Sequence, residues 1–295
     1  MILNLWSKSE IKSVLEREDF RFKKSLGQNF LIDDSVAPRM AEIACDSNTG
    51  VIEVGPGAGV LTLELSRRAK RVVAIEIDEH LKPVLSRTLE NAKNVSVIFG
   101  DVLKTDLFSL ICDNFSDCAR VTVCANLPYY ITSPVITGLL KAKLPIDSIT
   151  VMVQKEAGER LCAPVGSRKA GAVTALVNFF AEAEECFFVP KTAFLPVPKV
   201  DSVVINLKIR KEPPVSVPDE EFFFKTVNAC FLLRRKTAIN SVSSALGISK
   251  ETLAEIFERL GIDKTARGES FDMETLARLA KELYVGEAES GLASH

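Results

Sequence analysis

Histidine is nearly absent from this chain: His80 and His295 are the only two in 295 residues. A histidine-based catalytic triad or a zinc cage is therefore not expected. The seven cysteines are scattered, with no C-x-x-C pair and no metal-ligand spacing. They read as reduced thiols and predict no metal site. No apolar run reaches the roughly 18 residues that span a membrane. Residues 1–21 alternate charges and lack the apolar stretch of a secretory signal. A cytoplasmic protein without a membrane partner is the expectation. Excess positive charge is missing too, since the net charge is −2. The total does not announce nucleic acid, although local clusters matter more than the sum. What is abundant is apolar: 47% of residues are hydrophobic, enough for a real core. The length suits one α/β domain with a smaller companion.

Val51-Ile52-Glu53-Val54 reads as a strand and runs directly into Gly55-Pro56-Gly57-Ala58-Gly59. An amphipathic stretch over 60–68 follows, with Leu61, Leu63 and Leu65 as apolar positions. This is strand, glycine turn, helix, an arrangement that lets backbone approach a ligand closely. The spacing is G-x-G-x-G, not the G-x-G-x-x-G of dinucleotide enzymes, which disfavours a nicotinamide dehydrogenase. A second strand over 71–77 carries Glu76 about 20 residues past the glycines, the place of a ribose-gripping carboxylate in nucleotide-binding α/β folds. A third strand, 95–99, ends in Gly100-Asp101. Three successive strands thus bring polar groups to one edge.

The fourth strand, over 120–125, ends in Asn126-Leu127-Pro128-Tyr129. These residues suit a planar base with an exocyclic amino group. Asn126 offers a side-chain oxygen as acceptor. Pro128 fixes the backbone, so that the Leu127 carbonyl can be held as a second acceptor. Tyr129 offers a ring for stacking. Alone, the tetrapeptide would serve equally as a turn with a core tyrosine. Its place beside the other strand tips favours a site.

Helices are expected near 33–45, 60–68, 79–91, 133–141, 155–162 and 172–180. A fifth strand is expected at 148–154 and a closing pair at 184–189 and 202–210. Strands alternating with helices imply a mostly parallel sheet. Residues 212–220 have linker composition, and 221–285 show only helical periodicity, broken at Gly247 and Gly261. The expected organisation is a cofactor-binding domain over 1–211, a linker over 212–220, a small all-helical domain over 221–285 and a polar tail over 286–295. Basic clusters fall at Arg21/Lys23/Lys24, Arg67/Arg68/Lys70/Arg71, Lys141/Lys143, Arg168/Lys169 and Arg234/Arg235/Lys236. The second of these reads as a solvated helix end.

The ordered motifs Glu53–Gly59, Glu76, Gly100-Asp101 and Asn126-Leu127-Pro128-Tyr129 resemble those of S-adenosylmethionine-dependent methyltransferases acting on an adenine amino group. Lys24-Ser25-Leu26-Gly27-Gln28-Asn29-Phe30-Leu31 resembles the entry motif of the ribosomal RNA adenine dimethyltransferases. Phe194-Leu195-Pro196-Val197-Pro198-Lys199-Val200-Asp201-Ser202 resembles their proline-rich loop, and Arg234-Arg235-Lys236-Thr237 their carboxyl-terminal region. The resemblance spans about residues 20–285 and is nearest the KsgA/RsmA branch, which dimethylates two adjacent adenosines near the 3′ end of small-subunit (16S) rRNA.

It implies a Rossmann-like class I methyltransferase fold with seven strands, the last antiparallel, plus the helical domain. It also implies S-adenosyl-L-methionine as cofactor, held by Gln28, Asn29, Leu31, Gly55, Gly57, Glu76, Ile77, Asp101, Val102 and Asn126. Catalysis would fall to Asn126, Leu127, Pro128 and Tyr129, with Phe194 as the second stacking ring. Arg21, Lys23, Lys24, Arg234, Arg235 and Lys236 would face RNA. The implied partner is small-subunit rRNA or the immature small subunit, met by a monomer with a role in subunit biogenesis.

Two positions depart from the family pattern: Val197 replaces a frequent proline, and Ala170 replaces an aromatic before Gly171. Other readings are an Erm-type enzyme of large-subunit rRNA, a DNA adenine methyltransferase, and a ribosome-assembly factor that keeps the fold without catalysis. Leu26-Gly27-Gln28-Asn29-Phe30-Leu31, Leu127 and the loop ending Lys199-Val200-Asp201-Ser202 favour the KsgA/RsmA branch over the Erm type, and intact Glu76, Asp101 and Asn126 argue against a dead site.

Overall fold

The computed structural model describes residues 8–18, 28–128 and 130–289. Its main sheet has seven strands: β1 (Thr49–Val54), β2 (Arg71–Glu76), β3 (Val95–Phe99), β4 (Arg120–Asn126), β5 (Ser148–Gln154), β6 (Ala181–Val189) and β7 (Ser202–Ile209). They lie in the order β3-β2-β1-β4-β5-β7-β6. The pairs from β3 to β5 are parallel, while β7 runs antiparallel to β5 with Ser148 opposite Lys208 and Gln154 opposite Ser202. All six residues of β1 are buried, as expected of a central parallel strand covered on both faces. Chain order reverses between β1 and β4, and ligands of open α/β sheets bind at the carboxyl ends beside such a reversal.

The helices are α1 (Lys8–Arg17), α2 (Val36–Ala44), α3 (Val60–Arg68), α4 (Lys82–Thr88), α5 (Leu107–Phe115), α6 (Thr132–Lys141), α7 (Lys155–Leu161), α8 (Ala172–Phe180), α9 (Glu220–Leu232), α10 (Ala238–Leu246), α11 (Lys250–Leu260) and α12 (Met273–Glu289). Two of them go beyond the sequence reading. In α1, Ile11, Val14 and Leu15 are buried in the core, so its charge alternation hides an apolar stripe. In α5, Leu107, Leu110, Ile111 and Phe115 form the buried face, and the Asp106 carboxylate caps the start by accepting from the Ser109 N–H at 3.0 Å. The helix expected over 79–91 is instead a short 3-10 turn, Glu79–Leu81, followed by α4.

The chain divides into two compact units, one of Met1–Gly158 with Glu182–Ile209, the other of Glu159–Ala181 with Arg210–His295. The boundary expected at 211 is thus corrected for one segment, because 159–181 groups with the later helices. The cause is aromatic: Phe179 of α8 packs on Phe223 and Phe224 of α9 with ring centroids 5.2 and 5.3 Å apart. Three consecutive phenylalanines at 222–224 cannot all face one side of α9, and α8 supplies the additional apolar surface. The tail expected from 286 is also corrected, since α12 continues to Glu289. Its buried Leu276, Leu279, Ala280 and Leu283 anchor the helix, and adding further turns to an anchored helix is favourable. Among the described residues no helix is long and apolar enough to cross a membrane.

Helix α7 lies against the sheet so closely that a Cβ on Gly158 would stand 2.2 Å from Val203 Cγ1. Gly158→Ala gains helix propensity, roughly 1 kcal/mol. It must also displace a stiff β-branched side chain from a filled core, which costs about 1–3 kcal/mol. The net expectation is a lower denaturant midpoint. An unchanged or higher midpoint would show that α7 can slide away from β7 without loss.

Candidate active site

The carboxyl ends of β1, β2, β3 and β4 open into a cavity of about 320 Å³. At the end of β1 the chain turns through Gly55 at φ +72° and Gly57 at φ +56°, a left-handed region that side chains with a Cβ rarely adopt. The Gly55 N–H still donates to the Ile75 carbonyl at 2.9 Å, so the turn begins within the sheet ladder. A Cβ on Gly55 would meet no atom within 4 Å, whereas one on Gly57 would come within 3.0 Å of the Phe30 ring. Gly57 is therefore required by packing, and Gly55 leaves open space for a ligand to approach the backbone.

Two buried glutamates line the cavity. Glu76, at the tip of β2, accepts from the Gly57 N–H at 3.1 Å through Oε2 and from the Asp78 N–H at 2.9 Å through Oε1. Burial pushes its carboxyl above the usual range, and those two N–H groups oppose the rise. Glu53, inside β1, is the more extreme case. Burial pushes it up to about 8, the neighbouring Thr62 hydroxyl opposes this in part, and the charge of Glu76 adds to it. Neither Glu53 oxygen has a hydrogen-bond partner among the described residues. Asp101, past the tip of β3, accepts from the Leu103 N–H at 3.0 Å through Oδ1, which fixes the carboxylate at the cavity wall.

At the tip of β4, Asn126 Nδ2 donates to the Asn29 carbonyl at 3.4 Å. That bond orients the amide, because only its nitrogen end can face a carbonyl, and leaves Oδ1 as the end available to accept. The Leu127 carbonyl accepts no hydrogen bond among the described residues. The following Pro128 restricts Leu127 to extended geometry, which holds that carbonyl in one direction. The Pro128 carbonyl is occupied, accepting from the Ile131 N–H at 3.1 Å and closing the turn into α6.

Two distant segments complete the wall. Phe30–Leu31 pairs antiparallel with Phe194–Leu195, Phe30 opposite Leu195 and Leu31 opposite Phe194. The entry motif and the proline-rich loop are thus joined by a two-residue ladder. Phe194 is 1% exposed and belongs to the core cluster, yet it also lines the cavity. Core packing and a ligand-facing edge coexist in this ring.

Of the residues singled out in the sequence, Gln28, Asn29, Leu31, Gly55, Gly57, Glu76, Ile77, Asp101, Val102, Asn126, Leu127, Pro128 and Phe194 all line this one cavity. Tyr129, Arg21, Lys23 and Lys24 lie outside the described residues. Arg234, Arg235 and Lys236 are exposed in the second unit. There, Arg234 Nη2 donates to the Ala170 carbonyl at 3.4 Å and lies 3.8 Å from Glu269 Oε2. That bond brings the 167–171 loop and the 234–237 segment together within the unit.

The cluster at 67–71 is partly paired rather than merely solvated. Arg67 and Arg68 bond Glu64, and Lys70 and Arg71 lie near Asp117. Among the cavity residues to which the sequence reading gave no role are Glu53, Phe30 and Tyr130. Glu53 and Phe30 stand inside motifs already recognised and Tyr130 directly follows one, so adjacency was the available signal. Tyr130 is 55% exposed, unusual for an aromatic ring at a cavity wall.

A sheet of this order, with a glycine turn at its switch point and an acid at each of the next two strand tips, defines a Rossmann-like class I methyltransferase. The ribosomal RNA adenine dimethylase family matches residues 19–284. The chain belongs to that family. It is 47% identical over 276 residues, covering 92% of this chain and 94% of the other, to the ribosomal RNA small subunit methyltransferase A of Geobacillus thermodenitrificans (strain NG80-2). It is 46% identical over 276 residues, with the same coverage of 92% and 94%, to the protein of that name from Bacillus pumilus (strain SAFR-032). Among solved structures, a dimethyladenosine transferase from Plasmodium falciparum superposes with a TM-score of 0.70 at 25% identity, covering 89% of this chain and 98% of that one. The 23S rRNA methyltransferase ErmE superposes with a TM-score of 0.65 at 27% identity, covering 87% and 100%.

Proposed function

We propose that this chain transfers methyl groups from S-adenosyl-L-methionine to the exocyclic amino groups of two adjacent adenosines near the 3′ end of small-subunit (16S) rRNA, dimethylating each. The observation that carries the reading is the orientation of Asn126, whose amide nitrogen bonds the Asn29 carbonyl and leaves its oxygen to accept in a cavity that Leu127 also lines. Family membership and 44–47% identity to small-subunit methyltransferases support the rRNA substrate. They also favour the small subunit over the Erm-type large-subunit reading, for which the ErmE likeness is 27%.

The cleft fits the cofactor on two counts. Gly55 leaves an open cradle for backbone approach, and the Glu53 carboxyl, without a hydrogen-bond partner among the described residues, would match an ammonium such as that of a methionine moiety once ionised. Glu76 would hold the ribose hydroxyls, Asp101 the adenine amino group, and Gln28, Asn29, Leu31, Ile77 and Val102 would enclose the rest. The bound cofactor supplies an activated methyl on sulfur with a good leaving group.

The protein's task is the nucleophile. An adenine amino nitrogen is poor because its lone pair is delocalised into the ring. Two acceptors, Asn126 Oδ1 and the Leu127 carbonyl, draw its hydrogens out of plane and localise the pair. These contacts strengthen as the new bond forms, so they lower the barrier rather than merely bind. Alignment for in-line displacement supplies much of the remainder. The base must leave its stack to enter, and Tyr129 would replace that stacking, a contact worth on the order of 1–3 kcal/mol, while the buried Phe194 would meet the base at its edge.

The physiological partner is the immature small subunit, met by a cytoplasmic monomer whose helical region past the 212–220 linker carries the RNA-facing Arg234, Arg235 and Lys236. Arg21, Lys23 and Lys24 would flank the entry motif on the RNA side. Replacing Arg234 and Arg235 together by alanine is expected to reduce the slope of log affinity against log salt by roughly 1.5. An unchanged slope would remove this patch from the interface. Labelled cofactor supplied with undermethylated small and large subunits tests the substrate. Label confined to small-subunit RNA is expected, and label in large-subunit RNA instead would favour the Erm-type reading.

A further inference from the structure

We propose that Asp78 is a positioning residue of the cofactor cleft, holding Gln28 at its rim while bracing Glu76 at its floor. The inference rests on the cleft being the S-adenosylmethionine site. The Asp78 side chain is 0% exposed and does not line the cavity. A carboxylate removed from water must be compensated by donors, and those around Asp78 come from separate segments. Oδ2 accepts from Gln28 Nε2 at 2.9 Å, across 50 residues of sequence. Oδ1 accepts from the His80 N–H at 3.3 Å and lies 3.0 Å from His80 Nδ1. The Asp78 N–H donates to Glu76 Oε1 at 2.9 Å, and Glu76 Oε2 in turn accepts from the Gly57 N–H at 3.1 Å.

One continuous chain of bonds therefore runs from Gln28 through Asp78 and Glu76 to the glycine turn. Capping the 3-10 turn over Glu79–Leu81 needs only Oδ1. The second oxygen is spent on Gln28, a cavity-lining residue that lies outside helix and strand. Gln28 precedes Phe30–Leu31, the strand that pairs with the proline-rich loop, so Asp78 also fixes where that strand begins.

The test exchanges the two partners. Asn caps a helical turn as well as Asp, so Asp78→Asn keeps the local fold while weakening the hold on Gln28. Gln28→Glu sets two carboxylates face to face and should weaken cofactor binding by roughly a hundredfold. Combining Gln28→Glu with Asp78→Asn restores a carboxylate–amide bond in the reverse sense. Affinity for S-adenosylhomocysteine, measured by titration calorimetry on the full chain, should then recover to within about tenfold of wild type. In Asp78→Asn, whose side chain does not line the cavity, the loss should fall more on cofactor KM than on maximal turnover at saturating S-adenosylmethionine.

A double variant no better than Gln28→Glu alone would overturn the positioning role, as would a loss that falls on turnover with cofactor affinity intact. If wild-type protein fails to bind S-adenosylhomocysteine or S-adenosylmethionine at all, the cofactor reading itself falls and this role with it. Binding by wild type without rescue by the exchange overturns the positioning role alone.

Discussion

Asn126→Ala is expected to cut methyl transfer at saturating cofactor by about three orders of magnitude, while the Kd for cofactor changes by no more than about tenfold. The split follows from geometry. The amide spends its nitrogen on the Asn29 carbonyl at 3.4 Å, a contact that tethers the entry segment and accounts for the small loss in binding. In the proposed mechanism its oxygen has the larger role, because an acceptor on the amino hydrogens gains strength as the nitrogen becomes tetrahedral. The Leu127 carbonyl, held by Pro128, cannot replace it in the first transfer, where one acceptor meets only one of the two amino hydrogens and leaves the nitrogen lone pair largely conjugated. Single-turnover kinetics with preloaded cofactor would separate the two effects. Undiminished turnover would remove the amide from the chemistry, and a loss confined to cofactor KM would reassign it to binding.

The second large effect concerns the cofactor-free protein. Glu53 is fully buried, and its carboxyl is pushed up to about 8 from the ordinary 4.5. Between those values the native state binds more protons than the unfolded chain, so the unfolding free energy falls as pH rises. The stability carried by protonated Glu53 is complete below about 4.5 and is lost progressively toward 8, by a few kcal/mol in order of magnitude. Glu76 is shifted in the same direction and adds to the slope.

Other groups act outside this window. The buried thiols of Cys45 and Cys230 are pushed up to about 11 and about 12 and stay protonated throughout. Asp46, Asp106, Asp117 and Asp263 are shifted down and titrate at more acid pH. Glu53→Gln keeps shape and polarity without the ionisation. Denaturant midpoints of wild type should therefore decline between pH 5 and 8, and those of Glu53→Gln should decline much less. Parallel slopes would show that Glu53 stays ionised in the fold, satisfied by contacts that neither carboxylate oxygen makes in this structure.

The site was legible in the sequence where its chemistry sits at strand tips. Glu76, Asp101 and Asn126 each follow an apolar run, and parallel pairing carries all three to one edge. Motif order therefore sufficed to predict their meeting, and Gly55 and Gly57 announced themselves by type. Residues that meet only through long-range pairing were not legible on physical grounds alone. Leu31 and Phe194 are joined by a two-residue ladder that no periodicity foreshadows, and only family resemblance placed them at the cleft. Asp78 was invisible for a related reason, since its partner Gln28 lies 50 residues away.

Among the helices, α5 carried a readable signal in its Asp106 cap and its spacing of Leu107, Leu110, Ile111 and Phe115. The assignment of 159–181 did not, because α8 has the same amphipathic pattern whichever sheet or helix receives it. What decides it is the Phe223-Phe224 pair, whose rings take Phe179 and Phe180 as neighbours.

The central claim is that this cleft delivers methyl groups to adenine amino nitrogens. It is tested most directly by digesting small-subunit rRNA to nucleosides after incubating unmethylated particles with the full chain and methyl-labelled cofactor. The account predicts label in N6,N6-dimethyladenosine from two neighbouring positions, absent when Asn126→Ala replaces the wild type. Label at ring nitrogens, on ribose or on another base, or no label with cofactor demonstrably bound, would contradict it.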